Sequence, residues 1–254
     1  MSKPVDNRDY FESKEFAEAW DAKLQRRGDP LRDNILHPIL LKDIKSLKGK
    51  IVLESGVGSG YLLKELLKLK PKEICADDIS EHLIAISKKR YPGVNYKIVD
   101  LLKKLPYKNN MFNVTISSCV LMELPSINLA IKELSRVTKK GGQIYIAIVH
   151  PLYNLFMNDV KAKEETVRQR LERYGKAECL HVDTLQIVGN SKVSRMFLVH
   201  RRPISEWVNE LNKNGLFIEK MLELIIPERM GELDEKYKER YGAPVFLYFK
   251  LKKM

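Results

Sequence analysis

The sequence predicts an α/β fold: a largely parallel sheet with helices on both faces, organised around a ligand-binding corner between its first strand and the helix that follows. Three observations lead there. Ile51-Val52-Leu53-Glu54-Ser55 is a short apolar strand that runs into Gly56, Gly58 and Gly60 just ahead of a helical stretch. A second strand, Glu73-Ile74-Cys75-Ala76, ends in Asp77-Asp78, about 20 residues on, where a nucleotide-binding α/β fold presents a carboxylate to a ribose. Further apolar strands then alternate with helical patterns, the arrangement that puts helices on both faces of a sheet.

Taken in chain order, Phe16, Trp20 and Leu24 fall four apart, on one face of a helix that stops at Gly28. The connection Gly28-Asp29-Pro30-Leu31-Arg32 and His37-Pro38 leads to the first strand. The glycine turn exposes backbone N–H groups and lets a ligand lie against the main chain. A dinucleotide fingerprint needs its third glycine where Tyr61 stands, and a phosphate loop needs Gly-Lys-Ser/Thr where the chain reads Gly60-Tyr61-Leu62. An acid two residues before the first glycine suits a ligand that carries an amino group and a ribose but no phosphates. Ser80 is placed to N-cap a helix over 80–90, and a third strand over 94–99 ends at Asp100-Leu101. Ile127, Ile131 and Leu134 share a helix face, Gly141 can supply the helix stop, and a strand runs from Gln143 to Val149.

Glu54-Ser55-Gly56-Val57-Gly58-Ser59-Gly60 resembles the first motif of the class I S-adenosylmethionine-dependent methyltransferases, Asp-x-Gly-x-Gly-x-Gly, with Glu54 in the place of aspartate. Asp77-Asp78-Ile79-Ser80 is similar to that family's Val-Asp-Ile-Ser, and Asp100-Leu101 to its adenine-contacting pair. Leu105-Pro106-Tyr107 through Phe112-Asn113-Val114 resembles Leu-Pro-Phe-x-x-x-x-Phe-Asp-x-Val, and Glu133 through Gly142 resembles Glu-x-x-Arg-Val-Leu-Lys-Pro-Gly-Gly. Asn113 and Lys140 depart from the usual Asp and Pro. The resemblance implies a Rossmann-like sheet of seven strands with the last antiparallel. It implies S-adenosylmethionine as cofactor and S-adenosyl-L-homocysteine as product. By the same resemblance the cofactor contacts fall on Glu54, Ser55, Gly56, Gly58, Gly60, Tyr61, Asp78, Ile79, Asp100, Leu101, Ser117 and Ser118. The branch resembled includes ubiquinone and menaquinone C-methyltransferase-like enzymes and many small-molecule methyltransferases, in which the N-terminal helix folds over cofactor and acceptor.

After His150-Pro151-Leu152-Tyr153 the chain leaves the minimal fold. Residues 158–174 are charged and helical in pattern, and two β arms, Leu180 to Val188 and Lys192 to His200, flank Gly189-Asn190-Ser191. His200-Arg201-Arg202-Pro203 is similar to the family's return to the core, followed by a helix carrying Ile204, Trp207, Val208 and Leu211, then strands Leu216 to Leu224 and Pro244 to Leu251 around a helical excursion, Glu228 to Tyr241. The expected organisation is a lid over 1–45, a core over 46–150 and 203–254, and a cap over 151–202.

His150 and His200 stand where a base could take a proton from an amine or hydroxyl acceptor, histidine being the side chain that titrates near neutrality. A carboxylate acceptor needs no base, and Arg32, Arg201 or Arg202 would orient it. Phe16, Trp20, Arg32, Tyr153 and Arg201 are the expected acceptor contacts. The net charge of +12 comes from basic residues scattered through every helix rather than from a basic run with interleaved aromatics, which argues against nucleic acid and suits a small-molecule or peptide acceptor, anionic included. Cys75, Cys119 and Cys179 are too far apart for a zinc knuckle and read as reduced thiols. With neither an apolar stretch long enough to span a membrane nor an apolar leader after Met1, the expectation is a cytoplasmic enzyme without metal. The other readings are an RNA methyltransferase, a nicotinamide oxidoreductase and a noncatalytic cofactor-binding regulator.

Overall fold

The computed structural model describes residues 7–158, 165–188 and 191–254. Seven strands form one sheet in the order β3-β2-β1-β4-β5-β9-β8. They are β1 Ile51–Ser55, β2 Glu73–Asp78, β3 Asn95–Ile98, β4 Phe112–Ser118, β5 Thr138–Val149, β8 Leu216–Ile225 and β9 Pro244–Lys253. The pairs among β1 to β5 are parallel. The last strand, β9, is wedged between β5 and β8 and runs antiparallel to both. Because strand order reverses on either side of β1, a crevice opens beyond the carboxyl ends of β1 and β4, where open α/β sheets take their ligands.

The central strands β1, β2, β4, β5 and β9 are buried on both sides, as their near-continuous apolar runs require, while the edge strands β3 and β8 stay largely exposed. On one side Leu36, together with Leu40 and Ile44 of α3 (His37–Ile44), packs with Leu63 and Leu66 of α4 (Leu63–Lys68). On the other, Ile131 and Leu134 of α6 (Asn128–Val137) meet Trp207 and Leu211 of α9 (Ile204–Lys213), Trp207 being 1% exposed and therefore core. Between β2 and β3, α5 (Glu81–Arg90) begins with the Ser80 hydroxyl accepting from the Leu83 amide, the cap expected from the sequence.

Ahead of β1 lie α1 (Asn7–Glu12) and α2 (Lys14–Arg27), the latter ended by Gly28 at φ +64. Phe16 joins Tyr10, Ala17 and Leu83 in a small apolar cluster that fastens this N-terminal pair to α5. A short α7 (Pro151–Tyr153), α8 (Val167–Tyr174) and the antiparallel pair β6 (Glu178–Val188) and β7 (Ser191–Arg201) follow β5. The Gly189-Asn190 part of the expected turn and residues 159–164 of the charged stretch lie outside the described residues. Between β8 and β9 the helical excursion consists of α10 (Met230–Leu233) and a 3₁₀ segment, Glu235–Arg240.

One boundary differs from the sequence reading. Helix α6 ends at Val137 and β5 begins at Thr138, so Gly141 lies inside the strand rather than stopping the helix. Thr138 explains the early switch: its hydroxyl bonds back to the Leu134 carbonyl at 2.7 Å and contacts the Thr115 hydroxyl at 2.7 Å, while Phe112 of β4 pairs with it across the sheet.

Candidate active site

The three loop glycines do different jobs. A Cβ on Gly56 (φ +80) would come within 2.2 Å of the Val120 side chain, and one on Gly60 (φ +83) within 2.5 Å of Ser87 Oγ. At Gly58 (φ +56) a Cβ would meet nothing within 4 Å. Gly56 and Gly60 thus serve close packing, whereas Gly58 turns its bare backbone toward open space.

Three carboxyls surround this loop. Glu54, at the end of β1, is 4% exposed, and its Oε2 has no hydrogen-bond partner. Burial, reinforced by Asp77 and Asp78, holds its pKa well above the ordinary carboxylate range. Asp77 points into the protein and accepts the Ser55 hydroxyl at 2.7 Å, while its carbonyl receives the Gly56 and Val57 amides at 2.7 and 2.8 Å. Asp78 accepts the Gly58 amide at 2.8 Å and the Ser80 amide at 3.0 Å, so each oxygen keeps a lone pair for a further donor. Burial raises its pKa against the pull of those backbone hydrogen bonds. The hydroxyls of Ser59, Ser117 and Ser118 are buried without partners. Buried polar atoms in folded proteins are normally satisfied, so Glu54, Ser59, Ser117 and Ser118 leave hydrogen-bonding capacity open around the carboxyl ends of β1 and β4.

Beyond β3, Asp100 is ion-paired with Arg8 of α1 and accepts the Leu102 amide at 2.9 Å. It borders a cavity of about 360 Å³ whose walls include Ile79, Val99 and Arg8. Leu101 is buried beside it. The N-terminal helix thus reaches the crevice through a charge pair.

The acceptor-side residues divide into two groups. Arg32 lies over Trp20, 5.4 Å from guanidinium carbon to ring centroid, and over Tyr61 at 5.8 Å. Its Nε donates to Asp29 Oδ2 at 2.7 Å. Tyr61 gives its hydroxyl hydrogen to Asp33 at 2.6 Å and accepts the Asp29 amide at 3.0 Å, tying this connection to the glycine loop. Tyr153 is buried, its hydroxyl accepting from Arg240 at 2.9 Å.

Arg201, Phe16 and His150 are instead taken up by the fold. Arg201 donates to Glu178 and to the backbone carbonyls of Arg173, Tyr174 and Lys176, locking α8 to the arm and leaving little of its guanidinium to offer an acceptor. Phe16 packs in the cluster described above. His150 is fully buried, with Nδ1 accepting the Leu152 amide at 3.1 Å and Nε2 2.9 Å from Glu223 Oε1. A ring nitrogen that accepts one hydrogen bond while the other donates has no free lone pair for a substrate proton. His150→Ala is therefore expected to destabilise the protein by about 2 kcal/mol in urea unfolding, the cost of leaving a buried amide unpaired. His200 is half-buried at the end of the arm, its pKa lowered by burial and by Arg202.

The sequence assigns no site role to Asp77, Arg8, Asp29 or the backbone at Cys119, all of which the structure brings to the site. The Asp77-Asp78 doublet was the available signal: adjacent strand residues face opposite sides, so one had to enter the core. Cys119 (φ +59) adopts the left-handed conformation just past β4, a strained placement of the kind found where a chain turns sharply at a site.

Residues 53–146 match the family described as a methyltransferase domain. Over 130 residues the chain is 24% identical to a demethylmenaquinone methyltransferase of Chlorobaculum tepidum, covering 48% of this chain and 53% of that protein. Over 111 residues it is 30% identical to a malonyl-[acyl-carrier protein] O-methyltransferase of Buchnera aphidicola, covering 44% of each. The chain thus spans about half the length of these curated relatives. The crystal structure of an S-adenosylmethionine dependent methyltransferase from Mesorhizobium loti superposes with a TM-score of 0.63 at 16% identity, over 85% of this chain and 96% of the other, a likeness of fold.

Proposed function

We propose, from the match of residues 53–146 to a methyltransferase domain and the likeness of fold, that the chain belongs to the class I S-adenosylmethionine-dependent methyltransferases and transfers a methyl group to an O, N or C atom of a small-molecule or peptide acceptor in the cytoplasm. The observation that carries this reading is the unpartnered buried oxygen of Glu54 at the strand end where Gly58 turns its backbone to open space. An ammonium group would satisfy that oxygen, ribose hydroxyls would use the remaining lone pairs of Asp78, and Ile79 with Leu101 would flank a base near Asp100. Ser117 and Ser118 offer hydroxyls on the side where the methyl would point.

Bound there, S-adenosylmethionine supplies a sulfonium methyl that is already activated. The chain's own task is then to align an acceptor and exclude water, which can supply roughly 7–11 kcal/mol of barrier reduction. The N-terminal helices and the Tyr61 link to Asp29 and Asp33 would serve both tasks. A nicotinamide oxidoreductase is disfavoured by Tyr61 standing where the dinucleotide turn needs glycine. Among the described residues no helix is long and apolar enough to cross a membrane.

Calorimetric titration with S-adenosylmethionine and, separately, NADH tests the reading. Binding of the first at one site per chain and not of the second is expected; the reverse pattern, or binding of neither, rejects it.

A further inference from the structure

Three arginines could have oriented an anionic acceptor, and the structure separates them. The donors of Arg201 are taken up by Glu178 and three backbone carbonyls. Arg202 donates to the carbonyls of His200, Leu124 and Pro125 and pairs with Glu206. Arg32 differs: its Nε edge is held by Asp29, while its two terminal nitrogens make no hydrogen bond among the described residues.

The position of that open edge matters. The guanidinium lies within cation–π reach of both the Trp20 and Tyr61 rings, and its Nε hydrogen bond to Asp29 orients it before anything binds. It lies near enough to Cys119 for each to act on the other's charge, and Cys119 directly follows the unpartnered Ser117 and Ser118 hydroxyls at the carboxyl end of β4. Lys23 shares the Trp20 ring, 4.9 Å from its centroid, so a second cation stands beside the guanidinium, with Asp29 and Asp33 as the acids facing it. A planar fork with two adjacent donors, pre-oriented and poorly solvated, matches the two oxygens of a carboxylate.

His37, the histidine that Arg32's charge reaches, has its pKa pushed down to about 4 by burial and by that charge, which leaves it a weak proton acceptor. Both nitrogens of His150 are engaged, and the carboxyl groups of Glu54 and Asp78 belong to the cofactor side of the crevice. Resting on the methyltransferase reading above, the geometry points to a carboxylate acceptor gripped by Arg32, with a methyl ester as product. One carboxylate oxygen forms the new C–O bond, the methyl's C–S bond breaks, and its electron pair stays on sulfur. The carboxylate's negative charge and the sulfonium's positive charge cancel, and no proton is released or taken up.

The test incubates the full chain with methyl-labelled S-adenosylmethionine and the small-molecule fraction of the source cells, then treats the labelled products with mild alkali. Ester methyl groups leave as volatile methanol; methyl groups on carbon, nitrogen or ether oxygen stay. Release of most of the label as methanol is expected, and a label that stays overturns the inference while leaving the methyltransferase reading intact. No transfer by a protein that binds S-adenosylmethionine overturns both. Arg32→Gln is expected to cut alkali-labile transfer at least tenfold, with S-adenosylmethionine affinity by calorimetry within about twofold of the parent and Arg32→Lys recovering part of the loss. A parallel fall in cofactor affinity in Arg32→Gln and Arg32→Lys, with both variants folded by circular dichroism, would assign Arg32 to the cofactor instead and overturn the proposal.

Discussion

Gly58→Arg is expected to weaken S-adenosylmethionine binding at least 100-fold, about 2.7 kcal/mol, while leaving a folded protein. The two halves of that expectation have separate causes. A side chain at Gly58 would collide with nothing within 4 Å, so folding is opposed only by the φ of +56, which costs an L-residue roughly 1–2 kcal/mol. The space the new side chain enters is the one left for the ligand, and a guanidinium there would pair with Glu54 or Asp78 in place of the ligand's ammonium and hydroxyls. Titration calorimetry and a thermal melt, read together, check it. Undiminished affinity would reject the loop assignment. Gly60→Ala makes the contrast: its Cβ would sit 2.5 Å from Ser87 Oγ and 3.1 Å from the Tyr91 ring, so its first effect is on stability.

What could be read from the chain before its structure was the part written in local chemistry. Positive φ at alternate glycines, an acid at the second strand tip and an N-cap at Ser80 each depend on a few neighbouring residues, and each is found where expected. The strand order was legible only through the family resemblance, because pairing β1 with β4 joins residues some sixty positions apart and no local pattern records it. Gly141 misled for a related reason. A glycine after a helical pattern is a good stop, but the pairing of Thr138 with Phe112 and its bond to Leu134 draw the chain into the sheet before Gly141 is reached. The arginines show the limit most plainly. Arg32 and Arg201 are equivalent as letters, and what separates them is the set of carbonyls each one meets, supplied for Arg201 by residues 173–178 turning back over it. That both ring nitrogens of His150 have partners is hidden on the same account, since Glu223 arrives from a strand seventy-three positions away.

Asp77→Asn is expected to stabilise the unliganded protein at pH 8 by as much as ~4 kcal/mol, a rise in Tm of roughly 10 °C, and to change it little at pH 4. Burial pushes the Asp77 carboxyl from its ordinary 3.8 up to about 7, against the hydrogen bond from Ser55. A raised carboxyl means that the folded chain holds a proton the unfolded chain has released. The stability this group contributes is therefore complete below pH 3.8, falls as pH rises toward 7, and is fully lost above it. Asparagine has the shape of the protonated acid, still accepts from Ser55 through its carbonyl oxygen, and does not titrate, so it removes the loss and flattens the pH profile. Melts at pH 4, 6 and 8 on both proteins measure the closing gap. A variant no more stable than the parent at pH 8 would mean that Asp77 carries its charge at no cost to the fold. The cofactor side should respond as well, because the charge on Asp77 is one of the two that, with burial, raise the Glu54 carboxyl. With that charge gone, Glu54 ionises more readily, and S-adenosylmethionine binding at pH 8 should release fewer protons. Calorimetry in two buffers of different ionisation enthalpy reads that number directly, and an unchanged proton release would separate Glu54 from the ligand's ammonium.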